Sequence, residues 1–277
     1  MSEINPRFDW YQATLWDAKP GQEDRLLKDL ERWLDVERID EGKPRWGYGH
    51  EAVMRNAEGD VTARVLYGGS QSLPSVQGSG YPSGSVANAI RGNWRHGVTR
   101  MDSALDWNEP GAWQKLSEVA RSVGDERNLR MDIAGDWLSG ERGRTLYLGS
   151  RSSNVFARLY EKGKEQLAKG NDEAPADWVR LELVYRPKGR QAREAASHLS
   201  PLDMWGVALW SRSLLDAVSG VKVARAALSA YQPGDDERAL RTLVRQYGAT
   251  LERLRDRLGS DEAVGKWIMR KIAARAA

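Results

Sequence analysis

Hydrophobic and polar positions alternate in short runs along this chain, most clearly between Arg142 and Arg186. Thr145 to Leu148 and Val155 to Glu161 are rich in β-branched and aromatic residues and are separated by Gly149-Ser150-Arg151-Ser152-Ser153-Asn154. Two strands joined by a polar turn read this way. A third run, Trp178 to Tyr185, follows a polar loop containing Gly170 and Pro175. Its period of two puts Val179, Leu181, Leu183 and Tyr185 on one face and Arg180, Glu182 and Val184 on the other. The same rule places Phe156, Arg158, Tyr160 and Lys162 on one side of the second hairpin strand, so a tyrosine lies between two cations.

Earlier in the chain, Phe8 to Leu15 reads as a first strand. Gly21 to Asp35 reads as an amphipathic helix with Leu26, Leu27, Leu30, Trp33 and Leu34 on one face. Trp46 to Met54 and Val61 to Tyr67 read as strands around an Asn56–Asp60 turn. Gly68 to Gly84 has the Gly, Ser and Pro content of a surface loop, although Val76 to Gly80 could instead continue the sheet. A short helix is expected over Ser85–Gly92, a strand over Thr99–Trp107 and an amphipathic helix over Trp113–Val123. After Pro187-Lys188-Gly189 the pattern turns helical, over Ser200–Tyr231, Asp235–Leu258 and Ser260–Arg275. The stripe Leu240, Leu243, Val244, Tyr247, Leu251, Leu254 and Leu258 spans barely three heptads and is attributed to packing rather than to a zipper. The last helix is expected to bury Val264, Trp267, Ile268 and Ile272. The fold class is therefore α+β: a mainly antiparallel sheet with flanking helices over residues 1–195, and a helical C-terminal region over 196–277.

A chain of 277 residues can bury a sizeable core as one large domain or a domain with an appendage. The absence of cysteine excludes disulfides, thiolate catalysis and Cys-based zinc sites. MSEINPRFDWYQ has no signal pattern, and no run approaches the roughly 18 apolar residues of a membrane span. A cytoplasmic protein with no membrane partner is expected. The net charge of +3 is too small to argue for nucleic acid by itself, and the 13 Lys and Arg against 9 Asp and Glu in residues 201–277 suit solvated helix faces. The 12 Trp could serve a nucleic-acid-coating module, but most stand in apolar patterns and are expected in the core.

Candidate chemistry begins with the strand TRMDSALDW, where Asp102, Ala104 and Asp106 share a face. The rise per strand residue puts the two carboxylates roughly 7 Å apart on this reading, an arrangement that is costly in a buried sheet unless a cation or donors satisfy it. Oxygen ligation of that kind suits Mg²⁺ or Mn²⁺. Only His50, His96 and His198 are present, without a His-x-His pair, so a histidine-held catalytic metal is not expected, and His96 reads as a surface or turn residue.

RTLYLGSRSSNVFARLYEKGKE and WVRLELVYR, preceded in order by VLYGG, VQGSGY and TRMDSALDW, resemble the replication initiation factor family of rolling-circle plasmids and filamentous phages over roughly residues 8–190. The resemblance implies that Tyr160 is the nucleophile that nicks DNA and that acidic strand residues, here Asp102, Asp106 and Glu182, hold Mg²⁺ or Mn²⁺. A tyrosine hydroxyl with a pKa near 10 needs help to attack at neutral pH, which Lys162, Arg158 and the metal could supply. Arg151, Lys164 and Arg180 are the candidate DNA contacts. Attack by Tyr160 leaves a 5′-phosphotyrosyl link and a free 3′-OH. The expected partners are origin DNA, single-stranded or hairpin at the nick, a host helicase and polymerase, and a second copy in a homodimer. Tyr147, expected in the core, and Tyr185, on the apolar face, are the competing tyrosines. The alternative function is a non-catalytic origin-binding or repressor protein on the same fold.

Overall fold

Period-two patterning draws ten segments of this chain into one sheet. The computed structural model describes residues 5–18, 21–226 and 235–275. The strands are β1 (Arg7–Leu15), β2 (Arg38–Glu41), β3 (His50–Arg55), β4 (Val61–Tyr67), β5 (Ser75–Ser79), β6 (His96–Asn108), β7 (Met131–Gly135), β8 (Arg144–Leu148), β9 (Val155–Glu161) and β10 (Trp178–Tyr185). They lie in the order β2-β3-β4-β5-β1-β6-β10-β9-β8-β7. Every pairing is antiparallel. The long central strand β6 pairs with both β1 and β10, so the start of the chain lies one strand away from β10.

One face of this sheet is apolar and carries the core. Tyr11, Ala13 and Leu15 of β1, Met101 and Leu105 of β6, Leu181 and Leu183 of β10, and Ala157 and Leu159 of β9 are all buried in one cluster. Helices α1 (Glu23–Glu31), α2 (Ser83–Asn93) and α3 (Ala112–Glu126) contribute Leu26 and Leu30, Val86 and Ile90, and Trp113 and Leu116 to it. Gly78 shows how closely α2 approaches: a Cβ there would stand 2.9 Å from Val86 Cγ2, so the VQGSGY run needs glycine for packing. Strand β5 is part of the sheet, which settles the choice between loop and strand for Val76–Gly80.

Helices α5 (Arg190–Ala196) and α6 (Leu209–Ser219), with a 3₁₀ turn over Asp203–Val207, complete the core from the C-terminal side. Trp205 is fully buried and donates its indole N–H to Ser103 Oγ of β6 at 3.0 Å, while Ser103 donates to the Pro201 carbonyl at 2.8 Å. Met204, Leu214 and Leu215 are buried beside it. The first compact unit therefore runs through residue 230, past the boundary at 195 expected from the change of pattern. A second unit, residues 231–277, contains α7 (Asp235–Leu258) and α8 (Asp261–Arg275). Both helices match their sequence expectation. However, Leu240, Leu243, Val244 and Tyr247 are exposed, so the apolar stripe of α7 is not explained by burial, and of the four residues expected to be buried in α8 only Val264 is, Trp267 and Ile268 being half-buried and Ile272 exposed.

Other differences are local. Residues 46–49 form a turn before β3 rather than strand, β2 and β7 were not anticipated, and Lys162–Ala168 forms helix α4 where a polar loop was read. Short edge strands and a two-turn helix carry too few periodic positions to stand out. Residues 221–226 are not helical, and the expected end of that helix at Tyr231 lies outside the described residues. Among the described residues no helix is long and apolar enough to cross a membrane.

Candidate active site

The sheet's second face is polar, and its register assembles the site in rungs. The first rung is Asp106, Arg180, Tyr160 and Thr145, on β6, β10, β9 and β8. The next is Ala104, Glu182, Arg158 and Tyr147, with Arg7 of β1 beyond Ala104. The third is Trp10, Asp102, Val184 and Phe156. Neighbouring rungs on one face are two residues apart, about 6.7 Å. Opposite charges directly across adjacent strands then pair, as Glu182 does with Arg158 at 2.5 Å and Arg180 with Asp106 at 2.6 Å.

Tyr160 occupies the centre of this arrangement. Its hydroxyl donates to Glu182 Oε1 at 2.6 Å, diagonally across the two rungs. The Arg158 guanidinium carbon lies 5.4 Å and the Lys162 Nζ 5.6 Å from the centre of its ring. The side chain opens onto a cleft of about 610 Å³, whose walls include Arg7, Trp10, Tyr81, Tyr147, Arg158, Lys162 and Trp178. Burial, then the adjacent Glu182 carboxylate, push the Tyr160 hydroxyl well above the ordinary tyrosine range, despite Arg180 and Arg158 acting the other way. Glu182 is completely buried, and its carboxyl is also raised by burial, with Arg158 opposing. A protonated phenol therefore sits against a base strengthened by desolvation.

Arg180 organises the acidic side of the cleft. It is 3% exposed, and contacts Asp106 through Nε and Nη2 at 2.6 and 3.0 Å and Asp9 through Nη1 at 2.8 Å. Asp106 also accepts from the Trp178 indole at 2.6 Å and from Arg7 at 3.1 Å. Burial alone would raise the Asp106 carboxyl, but its bonds with Arg180 and Trp178 outweigh that and hold it below the ordinary range. Asp9 and Arg7 come from the chain's first strand and were not anticipated. The clue was a break in period: Phe8 and Tyr11 are both buried though three residues apart, because a bulge between Phe8 and Trp10 leaves Asp9 unpaired and directed to the polar face.

The expected metal ligands do not converge. Asp102 and Asp106 share a face, but they are four positions apart in the strand, so their backbones are about 13 Å apart rather than 7 Å. Each expected ligand is instead paired with its own guanidinium: Asp102 with Arg100 at 2.6 and 2.9 Å, Asp106 with Arg180, and Glu182 with Arg158. Among the described residues no three His, Asp or Glu side chains form a group that could hold a metal ion. A dication shared by Asp102, Asp106 and Glu182 does not fit this donor set.

The remaining candidates divide. Lys162 begins α4 rather than extending the strand, yet it lines the cleft and pairs with Glu165 at 2.5 Å. Gly163 permits this turn: a Cβ there would lie 2.0 Å from the Pro175 carbonyl oxygen. Lys164 faces away, bonded to Glu161 at 2.7 Å and to the Gly140 carbonyl at 2.5 Å, where it braces the β7–β8 connection. Arg151 lies at the β8–β9 turn, 5.0 Å from the Tyr147 ring centre. Tyr147 is not in the core as expected; it is on the polar face and lines the cleft. Tyr185 is buried on the core face. His96 is neither a surface nor a turn residue: it is buried, 2.7 Å from the Tyr11 hydroxyl. Of the 12 Trp, only Trp113 and Trp205 are buried, and Trp10 and Trp178 stand in the cleft.

Residues 97–225, which include Tyr160, Glu182, Arg158 and Arg180, match the model of a family described as replication initiation factor. No curated protein sequence matches the chain. Among solved structures, a rolling circle replication initiator protein from Geobacillus stearothermophilus is similar, with a TM-score of 0.52 and 17% identity, over 81% of this chain and 100% of that one. The chain thus matches the replication initiation factors in sequence over residues 97–225, and its fold is that of a rolling-circle replication initiator.

Proposed function

We propose that this protein initiates rolling-circle replication by nicking and rejoining one DNA strand at an origin through a 5′-phosphotyrosyl intermediate on Tyr160. The observation that carries the reading is the 2.6 Å hydrogen bond from the Tyr160 hydroxyl to Glu182 inside a cleft walled by Arg158 and Lys162. A phenol this far from ionising does not attack as preformed phenolate. Its proton passes to Glu182 Oε1 as the Oη–P bond forms, which is general base catalysis worth roughly 10²–10⁴-fold. The P–O3′ bond breaks, and the 3′ oxygen leaves as a hydroxyl after taking a proton from water. Arg158 and Lys162 face the charge that develops on the phosphoryl oxygens. Rejoining is the reverse: the 3′-OH attacks the phosphotyrosine and gives its proton to water, the Oη–P bond breaks, and Glu182 returns its proton to the Tyr160 oxygen.

Arg180 acts differently from an exposed DNA contact. Its buried guanidinium holds Asp9, Asp106 and, 3.9 Å away, Glu182 in position. Mg²⁺ keeps most of its water and uses one or two carboxylates with substrate phosphates. A divalent ion serving this reaction would therefore rest chiefly on DNA oxygens and a single cleft carboxylate. Residues 1–195 would supply the nicking chemistry, and residues 196–277 would contribute bracing, origin recognition or dimer contacts. The 3′-OH would be extended by a host polymerase behind a helicase, in the cytoplasm of a bacterial host.

The test is incubation with a supercoiled origin plasmid and Mn²⁺. The expected product is a nicked circle with protein attached to its 5′ end. Nicked circles without any protein–DNA adduct would overturn the tyrosine mechanism, and tight origin binding without nicking would favour a non-catalytic origin-binding protein.

A further inference from the structure

The polar face continues beyond the nucleophile to a second group of cations. Arg100 lies on β6 opposite Gln12 of β1. The β6–β10 register, continued one residue past Tyr185–Met101, sets Arg186 opposite Arg100. On its other side Arg186 continues the β9 pairing, its N–H donating to the Asn154 carbonyl at 2.7 Å. Two like charges facing each other across adjacent strands are unfavourable by themselves.

The two guanidiniums are nonetheless held in place. Arg100 stacks 4.4 Å from the Trp10 ring centre, and Arg186 stacks 5.0 Å from the Phe156 ring centre. Such stacking fixes the plane of a guanidinium while leaving its N–H edges available. Asp102 neutralises Arg100 from beneath and is 1% exposed, so the carboxylate is screened while the cations reach the surface. Arg186 donates only to a neutral acceptor, the Arg151 carbonyl at 2.8 Å, and among the described residues no carboxylate forms an ion pair with it. Burial, then the charges of Arg100 and Arg158, hold Arg186 below the ordinary arginine range. Asp102 opposes this from a distance but forms no ion pair with Arg186, being bonded to Arg100.

We infer that Arg186, with Arg100 beside it, forms a second phosphate-binding site that grips the nicked single strand a few nucleotides from the scissile phosphate. The proposal rests on the nicking reading. Three rungs separate Arg186 from the Tyr160 rung, about 20 Å along the sheet, which is too far for the same phosphate. A contact at that distance would fix the strand's direction across β10 and β9. It would also retain the strand after cleavage, when only one end is covalently attached.

Salt dependence of binding tests this without any cleavage. The Tyr160→Phe protein should bind single-stranded oligo-dT with an affinity that falls as KCl rises. Adding Arg186→Gln should reduce the log–log slope by about 0.7, the value for one phosphate on a single strand. Arg186→Lys should restore it, because the charge rather than the fold is at issue. An unchanged slope in Arg186→Gln, a slope not restored by Arg186→Lys, or salt-independent binding by the Tyr160→Phe protein would each overturn the second site. The plasmid adduct, formed by the unmodified protein, judges the nicking reading separately. Adduct formation with an unaltered slope would discard this inference alone.

Discussion

Tyr160 and Glu182 are joined by a 2.6 Å hydrogen bond although 22 residues apart, because β9 and β10 pair in a register that sets them diagonally on one face. Glu182 was expected to hold a metal ion. It accepts the hydrogen bond of the Tyr160 hydroxyl instead, and Arg158 bonds its other oxygen.

Tyr160→Phe removes only the hydroxyl. The ring should still pack between Arg158 and Lys162, and single-stranded DNA should bind nearly as before, while nicking and the covalent adduct disappear. Denaturing gels of protein with labelled origin strand check this. An adduct that persists would move the nucleophile to Tyr147, the other tyrosine of this hairpin that faces the cleft.

Glu182→Gln keeps an oxygen near the hydroxyl but cannot take its proton, so nicking should slow by about 10²–10⁴-fold with the adduct still detectable. The pH profile separates this role from metal binding. Because burial raises the Glu182 carboxyl, the unmodified enzyme should lose rate as pH falls through a value above the ordinary 4.3 of glutamate. That acid limb should be missing in Glu182→Gln. Full rescue of the variant by excess Mn²⁺ would return Glu182 to the metal.

Arg180→Met leaves Asp9 and Asp106 without their shared cation. Breaking a buried pair of this kind costs about 3–5 kcal/mol, readable as a lower urea midpoint. The sign with pH follows from the lowered Asp106 carboxyl. Its stabilisation is present above the unfolded value near 3.9 and is lost as pH falls through the folded one. The difference between the two proteins should therefore be large at neutral pH and shrink in acid.

Gly163→Ala tests the turn that delivers Lys162. The added Cβ would collide with the Pro175 carbonyl oxygen and, 2.8 Å away, that of Ala176. Both are backbone atoms, so α4 must shift, at a cost of about 1–3 kcal/mol. Nicking should fall by more than Lys162→Met alone produces, since Glu165 and Gln166 of the cleft wall move with the helix.

Truncation distinguishes the two compact units. A chain ending at residue 230 should unfold cooperatively, with a midpoint close to that of the full protein. One ending at Ser200 loses Met204, Trp205, Leu214 and Leu215 from the core. Replacement of a single buried tryptophan by alanine already costs about 3–5 kcal/mol, so this shorter chain should not fold, as circular dichroism would record.

Much of the sheet was legible because alternation is a local property. Val179, Leu181 and Leu183 announced the core face of β10, and Arg180 and Glu182 announced its polar face, without knowledge of any partner strand. Helices α7 and α8 were readable for the same reason at a period of 3.6. β2, β7 and α4 were missed because four to seven residues offer too little periodicity. The carboxylates of β6 misled because sharing a face was taken for proximity, whereas four strand residues span about 13 Å.

The sequence by itself determined that Tyr160 lies on a polar strand face with Arg158, and that Glu182 lies on the polar face of another strand, since side-chain direction follows from strand geometry alone. Only the tertiary structure decided that these faces are the same surface and that Tyr160 reaches Glu182. It also decided that Arg180 is buried between Asp106 and an Asp9 brought from 171 residues away. Those relations depend on strand order, register and the bulge in β1, which arise from pairings between distant segments. They are selected by burying one continuous apolar face while each buried charge finds a partner.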